Sequence, residues 1–72
     1  MFDKVLLGQR LRSVRMKRGA PQSALAVLLG VSVTQISDIE NGKTGTTLER
    51  LVLICQHYKI SADYLLGLSD RP

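Results

Sequence analysis

From Lys4 to Leu68 apolar residues fall into stripes three or four positions apart, and no segment of strand length carries a strand pattern. The spacing predicts five helices. The first runs from Lys4 to Arg18, with Asp3 as its cap and Gly19 as its stop; Leu7, Leu11, Val14 and Arg18 share one stripe, and Met16 lies opposite. The second follows Pro21, covers Gln22 to Leu29 and ends at Gly30, kept slim by Ala24 and Ala26. Ser32 caps the third and Gly42 stops it. Thr46 or Thr47 caps the fourth, with Thr46 and Glu49 in capping-box spacing, and it extends to Tyr58. Its Leu48, Leu51, Val52, Ile54, Cys55 and Tyr58 spread over one broad apolar side, while Leu53 projects outward between Arg50 and His57. Ser61 caps a short fifth helix from Ala62 to Leu66, where Tyr64, Leu65 and Leu68 close the core. Residues 1–68 thus form one domain, and residues 69–72 read as a tail or the start of a linker.

The stretch from Gly30 to Gly42 carries the most information. Only Val31 and Ser32 separate the second helix stop from the third helix, too few to return antiparallel, so the two helices must cross steeply in a helix-turn-helix. At 100° per residue, Ile36 and Ile39 point one way and Thr34, Ser37, Asp38 and Asn41 the other. A solvated face tends to carry Lys and Glu. Short, varied donors and acceptors are what a helix needs in a DNA major groove, where base edges are read by hydrogen bonds and methyl contacts.

Composition narrows the class. Seventy-two residues suffice for one small domain, and with no Trp and one Phe its core must be aliphatic. The net charge of +4 is uneven: residues 1–18 hold six basic groups and one acid, +5, and residues 19–72 hold four basic groups and five acids, −1. A basic end suits a polyanionic partner, though solubility alone favours basic surface helices equally. One cysteine, Cys55, allows no internal disulfide and no cysteine cluster, which fits a reducing, cytoplasmic setting. No apolar run reaches the ~20 residues of a membrane span, and Met1-Phe2-Asp3-Lys4 lacks the layout of a signal peptide. Cys55 and His57, two apart on a helix, point in different directions, so neither a metal nor another cofactor is expected. No nucleophile stands beside a base, no acids are paired and no glycine loop cradles phosphate, so no enzyme is expected either.

Taken in order, several short motifs carry a likeness: Gly8-Gln9-Arg10-Leu11-Arg12; Arg15 followed by Gly19; Gln22 with Leu25-Ala26; Leu29-Gly30-Val31-Ser32; Ile36; Ile39-Glu40-Asn41-Gly42-Lys43; Leu48 with Leu51; and Ile60-Ser61-Ala62-Asp63-Tyr64-Leu65-Leu66-Gly67. In this order and spacing the chain resembles the phage-repressor/Cro-type helix-turn-helix family, the XRE-like domains of bacterial and phage regulators. The resemblance implies an all-α, five-helix, lambda-repressor-like domain that docks on double-stranded DNA, usually as a homodimer on a palindromic operator, and regulates transcription, by expectation as a repressor at the nucleoid. It assigns base readout to Val33, Thr34, Ser37 and Asp38. It assigns phosphate contacts to Gln22, Asn41, Lys43 and Thr44, with Arg10 and Gln35 as further candidates. It also implies a structural ion pair between Arg15 and Glu40, each about 40° from an apolar neighbour on its own helix. Two residues depart from the family pattern: Pro21 replaces a small hydroxyl cap, and Asp38 puts a negative charge on the DNA-facing side. The rival from another class is a protein-interaction domain of the antitoxin type. Exposed Leu53, with Tyr64, Leu66 and Leu68, is either scattered surface apolarity or a dimer patch.

Overall fold

The computed structural model describes residues 1–72. Five helices follow in order: α1 (Lys4–Lys17), α2 (Gln22–Leu29), α3 (Val33–Glu40), α4 (Leu48–Tyr58) and α5 (Ala62–Leu66). Their starts are fixed by side chains that satisfy first-turn N–H groups. The Asp3 carboxylate accepts from Val5 and Leu6, the Ser61 hydroxyl from Tyr64, and Ser32 forms a full capping box with Gln35. At α4 the cap is Thr47, which accepts from the Arg50 N–H, so the expected box from Thr46 does not form; the Thr46 hydroxyl is instead buried without a partner. Gly30 ends α2 at φ 67°, the left-handed turn that a residue without Cβ takes at least cost.

Leu7, Leu11, Leu25, Ile36, Ile54 and Leu65, at least one from every helix, meet at the centre of a thirteen-residue core; Tyr64 packs against it, but Leu68, expected to close it, lies past the end of α5 and is exposed. The buried stripe of α4 is narrower than its apolar residues suggest. It is centred between Leu51 and Ile54 and includes Tyr58; Cys55 on its flank is half-buried, while Leu48 and Val52 fall beyond it and are exposed. Arg18, expected on the inner stripe of the first helix, is its exposed C-cap; its guanidinium donates to the Tyr58 carbonyl at 2.6 Å and lies over that ring. The cation thereby satisfies the C-terminal end of α4, where the helix dipole favours it.

α2 and α3 are bent by 106° across the Gly30–Ser32 turn. The second strut of α3 is α1. Where they cross, a Cβ added to Gly8 would collide with the Ile39 carbonyl oxygen, so the two backbones approach as closely as glycine alone permits. No single helix is long and apolar enough to cross a membrane.

Candidate nucleic-acid interface

The height and tilt of α3 are set by a buried polar junction at its last residue. Arg15 Nε donates to Glu40 Oε2 at 2.6 Å and Nη2 to Oε1 at 2.9 Å, while Nη1 donates to the Ala20 carbonyl at 2.8 Å. Gln22 Nε2 donates to the same Glu40 Oε1 at 3.0 Å. One carboxylate thus joins α1, α2 and α3. Its hydrogen bond holds the Arg15 guanidinium above the ordinary arginine range, against the opposing effect of burial. A pair this well buried does more for orientation than for net stability, because desolvation offsets much of the attraction.

With Ile36 and Ile39 buried, α3 turns its other side to solvent. Val33, Thr34, Gln35 and Asn41 are exposed, and Ser37 and Asp38 are half-buried at the edge of that face. Asn41 Nδ2 donates to Ser37 Oγ at 3.2 Å, a one-turn pair that lines up two of the polar groups. The side chains of Thr34 and Asp38 make no hydrogen bond within the protein. Donors flank the face at both ends. At the α2 start Pro21 offers no side-chain cap, leaving the N–H groups of Gln22 and Ser23 open. Beyond α3, Lys43 and Thr44 lie exposed on the loop to α4 with their side chains unpaired.

Besides Asn41, whose amide donates to Ser37 Oγ, three more candidate phosphate residues are engaged within the protein. The Gln22 side chain is tied to Glu40, so its backbone N–H is the group free to meet an anion. Gln35 Oε1 accepts from the Ser32 N–H at 3.0 Å and completes the capping box, which leaves only its amide nitrogen free. Arg10 requires a correction. It faces α5 and the tail, donating to the carbonyls of Tyr64 and Ser69 and, at 3.1 Å, to the Asp70 carboxylate, with its guanidinium 4.3 Å from the Tyr64 ring centre. A cation so fully engaged on that side is spoken for, and Arg10 is a clasp on the C-terminal segment. Gly8 is the positioning residue that sequence reasoning did not single out; an isolated glycine inside a helical pattern was its signal.

The helix-turn-helix family pattern matches residues 11–65. PrpR, an HTH-type transcriptional regulator of Mycobacterium tuberculosis, is 33% identical over 96% of this chain, which spans only 14% of PrpR. The crystal structure of the P22 c2 repressor in complex with a synthetic operator superposes with a TM-score of 0.80 at 35% identity, covering 88% of this chain and 96% of that one. The restriction-modification controller protein C.AhdI from Aeromonas hydrophila gives 0.76 at 30% identity, again over 88% and 96%. A match from Leu11 to Leu65, on a fold that superposes on a phage repressor over 88% of its length, means that the chain belongs to the phage-repressor-type helix-turn-helix family.

Proposed function

We propose that this chain is the DNA-reading domain of a transcriptional regulator, a repressor, which lays α3 with its caps (Ser32–Asn41) in the major groove of a palindromic operator. The observation that carries this reading is the outward side of α3: polar groups and one apolar residue, Val33, unpaired at Thr34 and Asp38, between two sets of open donors. Val33 packs on a thymine methyl, Thr34 and Ser37 pair with either donors or acceptors, and Asp38 accepts from cytosine N4–H. Asn41, Lys43 and Thr44 bind phosphates at one end of α3 and the open Gln22 N–H at the other, with the free amide of Gln35 between them; these contacts set register and affinity without selecting sequence. The P22 c2 repressor, solved on an operator, supports the reading by likeness.

The domain measures 27 × 23 × 20 Å. Two copies side by side therefore fit recognition helices one duplex turn, about 34 Å, apart. Leu53 and Leu68, 40% and 75% exposed, are the candidates for the contact between copies. Bound there, the dimer blocks polymerase at the nucleoid, with no catalytic step of its own. Selection from randomised duplexes at roughly 150 mM salt tests the proposal. A two-fold-symmetric motif with half-sites one turn apart is the expected outcome. Binding that enriches no motif and disappears as salt rises would reduce the interface to a basic surface and overturn it.

A further inference from the structure

The loop between α3 and α4 is held unevenly. Its first residues are tied back by backbone bonds, from the Gly42 N–H to the Ile39 carbonyl at 3.1 Å and from the Lys43 N–H to the Asp38 carbonyl at 2.9 Å. From Thr44 to Thr46 no backbone hydrogen bond holds the chain. Thr44, proposed to meet a phosphate, lies in this unheld stretch and Lys43 borders it, and a phosphate contact from a wandering loop loses much of its value to ordering entropy.

The chain segment before and at the start of α1 supplies what the loop backbone lacks, at three separate points. Val5 lies against Gly42, where a Cβ would come within 2.9 Å of Val5 Cγ2 and 3.0 Å of its Cα. Lys4 Nζ donates to the Lys43 carbonyl at 3.3 Å. The Phe2 ring rests on Gly45, 3.4 Å from where a Cβ would stand, and roofs an apolar cavity of about 260 Å³ walled by Leu7, Thr46, Leu48, Leu51 and Leu66. Phe2 is 51% exposed, so its inner half is turned onto this loop and cavity.

We infer that Phe2, Lys4 and Val5 form a strap that fixes the Gly42–Thr46 loop and so presents Lys43 and Thr44 to DNA phosphates; they are positioning residues for backbone binding and touch no DNA themselves. The inference rests on the proposed DNA-binding reading, and its test begins without DNA. Backbone order parameters from ¹⁵N relaxation are measured on the free chain and on Phe2→Ala. The expected result is a fall at Thr44–Thr46 from the rigid value of about 0.85 to below about 0.6, with α3 unchanged. Binding to a duplex carrying the selected motif is then followed over salt. The slope of log K against log salt is expected to shrink by about 0.9 for each phosphate that the loosened loop no longer neutralises. Phe2→Leu, which keeps an apolar cover, is expected to restore both readings, whereas a change that only lowered stability would leave the slope alone. Should Phe2→Ala not fold, Lys4→Met removes the hydrogen bond to the Lys43 carbonyl and carries the same two readings. Unchanged order parameters, or a loosened loop with an unchanged slope, would overturn the strap. A loosened loop in a chain that binds no duplex would overturn the DNA reading and leave the strap on the loop standing.

Discussion

Glu40 is the residue on which the interface turns, since its two carboxylate oxygens receive Arg15 from α1 and Gln22 from α2. Removing Arg15 leaves that carboxylate buried beside Gln22 alone, and stranded buried charges of this kind cost about 3–5 kcal/mol. Arg15→Ala is therefore expected to lower the denaturant midpoint sharply and to weaken DNA binding with it; an unchanged midpoint would contradict the pairing. The pair was legible only through the family likeness, because helical phase puts both residues at a core boundary but says nothing about partners 25 residues apart. Arg10 shows the converse. A cation on a helix looks the same in sequence whether it faces phosphate or, as here, two carbonyls, a carboxylate and the Tyr64 ring.

At the level of helices, what is local was readable and what depends on neighbours was not. Asp3, Ser32 and Ser61 cap where the sequence puts them, because a cap bonds within three residues of itself. Thr46 and Thr47 both fit the fourth cap by type; Thr47 takes it, accepting from the Arg50 N–H, while the Thr46 hydroxyl is buried. The apolar side of α4 was read too broadly because phase shows which residues share a side; how much of that side meets the core is set by α2 and α5, which leave Leu48 and Val52 outside. The crossing of α1 and α3 depends on a missing side chain. Alanine at an exposed helical position would gain up to about 1 kcal/mol over glycine, but at Gly8 the new methyl meets a backbone oxygen that has no rotamer to escape into. Gly8→Ala is expected to destabilise the fold by about 1–3 kcal/mol, the usual cost of overpacking, and to displace α3 from its binding height. Chemical denaturation checks it, and a variant as stable as the parent would mean the helices can part freely.

For the molecule as a whole, the basic first quarter suggested a polyanion-binding end. Four of its six cations are engaged within the fold: Lys4 with the Lys43 carbonyl, Arg10 with the tail, Arg15 with Glu40 and Arg18 with the Tyr58 carbonyl. Charge counted along a chain cannot separate field from framework, and here much of it is framework. Burial pushes up both the Cys55 thiol and the Tyr58 phenol, with Glu40 adding to the latter and Arg15 and Arg18 opposing. Each group holds its proton more tightly folded than unfolded, so the unfolded chain deprotonates first and gains on the folded one. Stability from these two groups is complete below about pH 8 and is expected to fall as pH rises past about 9–10, their ordinary range. Melting temperatures from pH 7 to 11 test this, and a flat profile would contradict the burial of both groups. If the outward face of α3 reads bases, as proposed, Asp38 is the residue to change, because its carboxylate has no partner inside the protein. The most direct measurement is the affinity of the parent chain and of Asp38→Asn for the selected operator and for every single-base-pair substitution of it. Asp38→Asn is expected to erase discrimination at one base pair of each half-site, typically worth about 1–3 kcal/mol, to raise affinity for unrelated duplexes and to leave the other positions as they were. The same discrimination at every position before and after the change would contradict it.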